Sequence, residues 1–170
     1  MHTRHSVSQL AAYGLLGMPL AMAALPLYVH LPKFYGDDLG MPLALLGAIL
    51  LVTRLGDAVI DPLLGYLSDR AGNRSWFVVA SLPLLGAGMI ALFHPPLESA
   101  RQSTWLAGAL TVTYLGFSMA SISYQAWGAQ LSTDVHERTR ITAARESFTL
   151  IGVLVAAAAP HVLGGENGLG

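Results

Sequence analysis

Five long apolar segments, separated by short polar stretches, dominate the pattern of this chain. They cover residues 10–31, 41–67, 76–94, 104–131 and 142–163. A helix rises 1.5 Å per residue, so about 20 apolar residues cross the hydrocarbon layer of a bilayer. The first four segments have this length, and the fifth falls short unless its polar first turn, 142–146, lies in the membrane interface. The pattern therefore predicts five membrane-spanning helices.

Composition supports a helical membrane protein. The chain is 54% hydrophobic and 11% charged, with a mean hydropathy of +0.55, whereas a soluble domain carries about a quarter charged residues. Glycine and proline recur inside the segments, as is common where lipid enforces backbone hydrogen bonding. A membrane β-barrel would instead need short alternating strands. We predict an all-α, polytopic transmembrane helix bundle whose first partner is the lipid bilayer.

Charge and motif content exclude several function classes. The net charge is −1, so nothing indicates binding to nucleic acid. The chain has no cysteine, which excludes a disulfide framework and a thiolate metal site. It contains no metal-binding motif, phosphate loop or nucleophile elbow, and we expect no cofactor and no metal.

The basic residues predict the orientation of the helices. Those on one side of the predicted membrane are Arg4, Arg70, Arg74, Arg138, Arg140 and Arg145, and those on the other side are Lys33 and Arg101. Cytoplasmic connections carry an excess of Lys and Arg. We therefore expect a multi-pass protein of the cytoplasmic (inner) membrane with a cytoplasmic N-terminus.

A signal peptide is the competing interpretation of the first segment. Basic and histidine residues precede an apolar run, and Ala21-Met22-Ala23 resembles a cleavage site. However, the apolar run continues past this tripeptide to Leu31. This continuation favours a membrane-spanning helix.

The second segment contains three charged residues on one helical face. Asp57 lies about 60° and Asp61 about 20° from Arg54 around a helix axis. Each charge at the membrane centre costs about 3 kcal/mol, so such a face must look into the bundle or into a wet cavity. One interpretation is a structural ion pair that leaves the second acid without a partner. The other is a cation site, in which both carboxylates offer oxygen ligands to Na⁺ or accept H⁺.

The connection after this segment resembles a known signature. It reads Gly65-Tyr-Leu-Ser-Asp69-Arg70-Ala-Gly72-Asn-Arg74 and is similar to the cytoplasmic loop between helices 2 and 3 of the major facilitator superfamily. The resemblance implies that the glycine permits close helix contact and that the acidic and basic residues form a cytoplasmic gate. The alternative is an ordinary polar turn with charges placed by chance.

Two longer blocks resemble one family within that superfamily. They are Tyr35-Gly-Asp-Asp-Leu-Gly40 with Arg54-Leu-Gly-Asp-Ala-Val-Ile-Asp-Pro-Leu-Leu-Gly65, and Ser121-Ile-Ser-Tyr-Gln-Ala126 with Leu131-Ser-Thr-Asp134, Glu137-Arg138-Thr-Arg140 and Arg145. Both look like the glycoside-pentoside-hexuronide:cation symporters, the melibiose permease family. The resemblance implies a twelve-helix transporter with cation ligands at Asp57 and Asp61. It further implies a substrate-facing arginine at Arg145. We expect Arg54 and Arg145 to assist gating or substrate binding.

Departures from this family concern sugar recognition. Residues 10–31 contain no acid, and the fourth segment has Ser121 and Ser123 where the family commonly has Asn or Asp and Pro. A neutral hydroxyl cannot make the charge-assisted bond that clamps a sugar diol. Only Ser121, Tyr124 and Gln125 are left on this segment for hydroxyl recognition, so we expect simple glycosides to bind weakly. With one cation ligand fewer, the carboxylate pair is expected to prefer H⁺ over Na⁺.

The fourth segment has a polar stripe of its own, formed by Tyr114, Ser118, Ser121 and Gln125 at helical spacing. Such a face packs against another helix or lines a cavity, and interhelical hydroxyl groups are common in membrane bundles. Both interpretations stay open at this point.

The five predicted helices correspond to part of a six-helix half, residues 1–170 forming a partial N-terminal domain without helix 6 and the C-terminal half. We expect the complete protein to be a symporter of a sugar or another small organic solute with a monovalent cation. The alternatives are a non-transporting membrane subunit, a defective remnant, or a major facilitator of a non-sugar substrate. An intramembrane aspartyl protease would need two acids facing each other, whereas Asp57 and Asp61 are stacked on one helix. We therefore do not expect an enzyme.

Overall fold

The computed structural model describes residues 5–70, 74–96 and 98–163, and the elements in them are helical. Helix α1 comprises Val7–Asp38, followed by α2 (Leu43–Arg70), α3 (Arg74–Leu92), α4 (Ser99–Gln130) and α5 (Val135–Leu163). The predicted five-helix architecture is confirmed. Four of the described helices are long and apolar enough to cross a membrane, and Trp76–Leu92 is a shorter apolar helix.

The predicted bounds differ most from the structure at the end of the first helix and at the start of the fifth, by seven residues each. We expected the fifth helix at 142–163, but it begins seven residues earlier, at Val135. The helix that is shorter than the others is the third. The side chain of Asp134 accepts a hydrogen bond from the backbone N–H of Glu137 at 3.0 Å, which caps the first turn of α5. The polar residues after it can therefore be helical.

Helix α1 is interrupted where proline removes backbone donors. Ser6 caps its start, and Ser6 and Gln9 bond each other's backbone N–H groups. Two π-helical turns, Pro26–His30 and Phe34–Asp38, follow later. Proline cannot donate the usual i→i−4 hydrogen bond, and π turns commonly accommodate such breaks. After α1 the chain reverses at Gly40, whose φ of 68° favours glycine.

The chain divides into two compact units. The terminal unit contains Met1–His30 and Gly128–Gly170, and the central unit contains Leu31–Trp127. In the terminal unit α1 packs on α5, and glycines permit close approach, since a Cβ at Gly152 would lie 2.5 Å from the carbonyl oxygen of Met18. In the central unit α3 packs on α4 in the same way, since a Cβ at Gly116 would lie 2.6 Å from the backbone nitrogen of Leu85.

Candidate functional site

The charged face of α2 lies in the central unit and forms an ion pair. Arg54 Nη1 donates to Asp57 Oδ2 at 3.0 Å, and the guanidinium lies over the ring of Tyr114 on α4, 4.9 Å from its centroid. The Asp57 side chain is buried, at 8% exposure, while that of Arg54 is 45% exposed. The carboxylate therefore lies inside the helix packing and the guanidinium lies at its edge.

A hydroxyl of α4 completes the surroundings of Asp57. Ser118 Oγ donates to Asp57 Oδ1 at 3.0 Å, and both residues are buried. Each carboxylate oxygen of Asp57 thus has one donor, Arg54 on one side and Ser118 on the other. At Tyr114 and Ser118 the polar stripe of α4 contacts α2, in line with the packing interpretation of this stripe. The sequence pattern placed Ser118 on this stripe but did not indicate its contact with Asp57, because one helix's periodicity does not identify the neighbouring helix.

Asp61 differs from Asp57 in its hydrogen bonding. Its Oδ1 atom is buried, and it has no hydrogen-bond partner among the residues that the structure describes. The next residue, Pro62, lies inside α2 and supplies no N–H for the carbonyl of Ala58. A buried acceptor without a donor costs about 1–3 kcal/mol. Oxygen acceptors of this kind suit a cation or a proton.

The residues of α4 that we expected to recognise hydroxyl groups differ in exposure. Tyr124 is buried, Ser121 is half-buried and Gln125 is exposed, and Gln125 Nε2 donates to Ser121 Oγ at 3.1 Å. Ser123, where the family commonly has proline, is fully buried and hydrogen-bonds the buried Ser68 on α2 at 3.2 Å. Together with Asp57–Ser118 and Arg54–Tyr114, this pair forms a polar seam along α2 and α4.

Arg145 lies in the terminal unit, near the middle of α5. Its Nε and Nη2 atoms donate to Glu146 Oε1 at 3.0 and 2.6 Å. The Arg145 side chain is 23% exposed, and its guanidinium also hydrogen-bonds the phenol of Tyr13 on α1. The charge of Arg145 is therefore neutralised by its neighbour along the chain. The sequence identified Arg145 but not the contact with Tyr13.

The predicted signature loop is described only in part. Gly65, Asp69 and Arg70 belong to the last turns of α2, and the Arg70 guanidinium lies 5.2 Å from the ring centroid of Tyr66. Gly72 lies outside the described residues, and Arg74 begins α3. A Cβ at Gly65 would make an ordinary contact with Ile122, at 3.9 Å. Within the described residues, Gly65 is therefore not needed for a close helix approach.

A cavity of about 750 Å³ lies between α3 and α4. Its walls include small residues such as Gly88, Ala91 and Gly108, with Trp105 and Arg101 also lining it. Arg101 pairs with Glu98 at 3.0 Å, and both side chains are exposed. None of the predicted site residues lines this cavity.

A family model described as "MFS/sugar transport protein" matches residues 10–169. An uncharacterized symporter of Synechocystis is 32% identical over 161 residues, which are 85% of this chain and 28% of that protein. A putative sulfoquinovose importer of Escherichia coli is 32% identical over 156 residues, or 85% of this chain and 32% of the importer. A putative glycoside/cation symporter of the same organism is 29% identical over 133 residues, or 73% and 28%. The chain thus spans about a third of the length of these relatives.

Proposed function

Since the chain belongs to the major facilitator superfamily, within its glycoside/cation symporter family, we propose that it forms the first five helices of a cation-coupled transporter for a small organic solute. The contact that carries this proposal is the buried Asp57, held between Arg54 and Ser118, with the buried Asp61 Oδ1 four residues further along α2. Charges inside a membrane helix are costly and mark ion or proton pathways.

In this proposal Asp57 and Asp61 bind the coupling ion, H⁺ or Na⁺. The Ser118 hydroxyl contributes a neutral oxygen beside Asp57, and Arg54 balances the charge when the ion has left. This third oxygen-bearing group argues against our expectation of H⁺ coupling, because Na⁺ prefers several oxygen ligands. The site would have the hydroxyl and carboxylate oxygens that hard cations select.

The experiment is uptake by the complete transporter in proteoliposomes, driven by a Na⁺ or a pH gradient. Asp57→Asn and Asp61→Asn are expected to abolish concentrative uptake, because an amide keeps the shape but loses the charge. Solute exchange without a gradient is expected to survive. Asp37→Asn is the matched control, since Asp37 is an exposed acid at the end of α1. Normal concentrative uptake by both Asp57→Asn and Asp61→Asn would show that these acids have a structural role and do not bind the coupling ion.

The solute is proposed to be a sugar or a related small organic molecule, bound with the help of Ser121, Tyr124, Gln125 and Arg145. The named substrates of two relatives, a glycoside and sulfoquinovose, support this class. Because α4 lacks a carboxylate at Ser121, neutral glycosides are expected to bind in the millimolar range. Calorimetry with melibiose and a sulfonated hexose tests this expectation, and micromolar affinity for melibiose would contradict it.

The membrane orientation is a further part of the proposal. The bias of basic residues supports a cytoplasmic N-terminus and cytoplasmic connections at residues 71–73 and 131–134. Gly65, Asp69, Arg70, Gly72 and Arg74 would then lie at a cytoplasmic gate. A reporter fused near Arg74 or Arg138 is expected to be cytoplasmic, and one near Asp38 or Glu98 external. The reverse pattern would overturn this orientation.

A further inference from the structure

The buried Tyr13 contacts the partly exposed Arg145 within the terminal unit. Tyr13 is 4% exposed, and its phenol oxygen accepts a hydrogen bond from the Arg145 guanidinium. The Nε and Nη2 atoms of the same guanidinium donate to Glu146 Oε1. The guanidinium is thus held from two sides, by a carboxylate on its own helix and by a phenol on α1.

The neighbouring glycines accommodate this arrangement. A Cβ at Gly128, in the last turns of α4, would overlap the Tyr13 hydroxyl, and the three atoms nearest to it all belong to the Tyr13 side chain. This glycine therefore leaves room for the phenol rather than for a neighbouring backbone. Gly14, next to Tyr13, brings α1 close to α5, since its Cβ would lie 2.9 Å from the carbonyl oxygen of Ala144. Tyr13 is consequently fixed beside Arg145.

Glu146 and Tyr13 contribute differently to Arg145. The carboxylate neutralises the charge, which lowers the cost of placing it in a membrane helix. The phenol is neutral and cannot balance the charge. Its contribution is to fix the orientation of the guanidinium. Arginine has about 2 kcal/mol of side-chain conformational entropy, and a fixed acceptor limits the orientations that its planar fork can adopt.

We propose that Tyr13 is a positioning residue, which orients the Arg145 guanidinium toward the transported solute. This inference rests on the substrate-binding role proposed for Arg145. It adds a residue of the first helix that the sequence did not single out. Gly128 is part of the same arrangement, because a side chain at this position would displace the phenol of Tyr13.

The test uses solute uptake by the complete transporter carrying Tyr13→Phe. The KM for the solute is expected to rise about tenfold, equivalent to about 1.4 kcal/mol. The maximal rate and the cation concentration for half-maximal activation are expected to change less than about twofold, because they depend on other residues. Tyr35→Phe is the matched control, since the Tyr35 hydroxyl is equally buried but donates to the backbone oxygen of Leu92 at 2.9 Å. It is expected to leave the KM unchanged.

A double-mutant cycle separates positioning from a purely structural role. In an Arg145→Lys background, Tyr13→Phe is expected to change the KM by less than about twofold. The planar guanidinium that Tyr13 orients is already absent from this variant. An equal effect in both backgrounds would overturn the inference. Gly128→Ala provides a second variant should Tyr13→Phe accumulate poorly, and it is expected to raise the KM in the same way.

The outcomes distinguish the two proposals. An unchanged KM in Tyr13→Phe, with a raised KM in Arg145→Ala, overturns the positioning role and leaves the proposed function standing. An unchanged KM in Arg145→Ala overturns the role of Arg145 and the positioning role with it. Absence of gradient-driven uptake in the unmodified transporter would contradict the proposed function itself.

Discussion

The two units differ in how their charged side chains are paired. In the terminal unit, Glu137 accepts from Arg140 and from the backbone N–H of His5, and Arg145 is paired with Glu146. In the central unit, Asp57 is paired, yet Asp61 keeps a buried oxygen without a partner among the described residues. Paired charges stabilise a helix bundle, whereas an unsatisfied one is a cost that function can explain. The difference identifies α2 as the stronger candidate for ion binding.

Single glycines in the two units differ in how tightly they are packed, and the contrast between Gly152 and Gly56 gives the largest expected effect. Gly152→Ala in the terminal unit is expected to destabilise the protein by about 1–3 kcal/mol, because its Cβ would meet the backbone of Met18. Gly56→Ala on α2 is the control, since a Cβ there meets nothing within 4 Å. It is expected to be neutral or mildly stabilising. Thermal unfolding in detergent measures the stability of both variants. Equal losses of stability in Gly152→Ala and Gly56→Ala would contradict this prediction.

The second prediction concerns two acids whose substitution is expected to change stability in opposite directions. Glu137→Gln in the terminal unit is expected to lower stability by about 1–2 kcal/mol, because it weakens the bond to Arg140. Asp61→Asn in the central unit is expected to raise stability by about 1 kcal/mol while abolishing coupled uptake, since it removes an unsatisfied charge. Melting temperatures of both variants, recorded at one detergent concentration, show the signs. A destabilised Asp61→Asn variant would mean that this acid is satisfied in the complete transporter.

The polar seam of α2 and α4 gives a smaller effect. Ser68→Ala and Ser123→Ala are each expected to cost about 1 kcal/mol, because each leaves the other hydroxyl buried and unpaired. The double variant is expected to cost less than the sum of the two. Chemical denaturation of the three variants measures this coupling, and strict additivity would show that the two hydroxyl groups do not depend on each other.

The smallest expected change in stability comes from an exposed hydrogen bond. Gln125→Ala removes the bond to Ser121 at the surface of α4 and is expected to change stability by less than about 0.5 kcal/mol. If Gln125 binds the solute, the KM rises nevertheless. A KM that stays unchanged, together with unchanged stability, would remove Gln125 from the proposed binding residues.

The sequence by itself determined the class and the main candidates. Long apolar segments predicted five helices because the hydrocarbon layer sets their length. The spacing of Arg54, Asp57 and Asp61 predicted one charged face because a helix has 3.6 residues per turn. The blocks at residues 35–65 and 121–145 resembled the glycoside/cation symporter family, which the family match and the symporter relatives together confirm. The first two inferences depend on composition and local spacing, and the third depends on a resemblance to a known family.

Only the tertiary structure decided which partner each side chain has. Helical periodicity reveals which residues share a face, but the neighbouring helix that meets this face depends on packing between distant segments. For this reason the contacts of Asp57 with Ser118 and of Arg145 with Tyr13 were not predicted. The start of α5 at Val135 was missed for a related reason. Polar residues look like a loop in a hydropathy pattern, yet the Asp134 cap makes them the first turns of a helix.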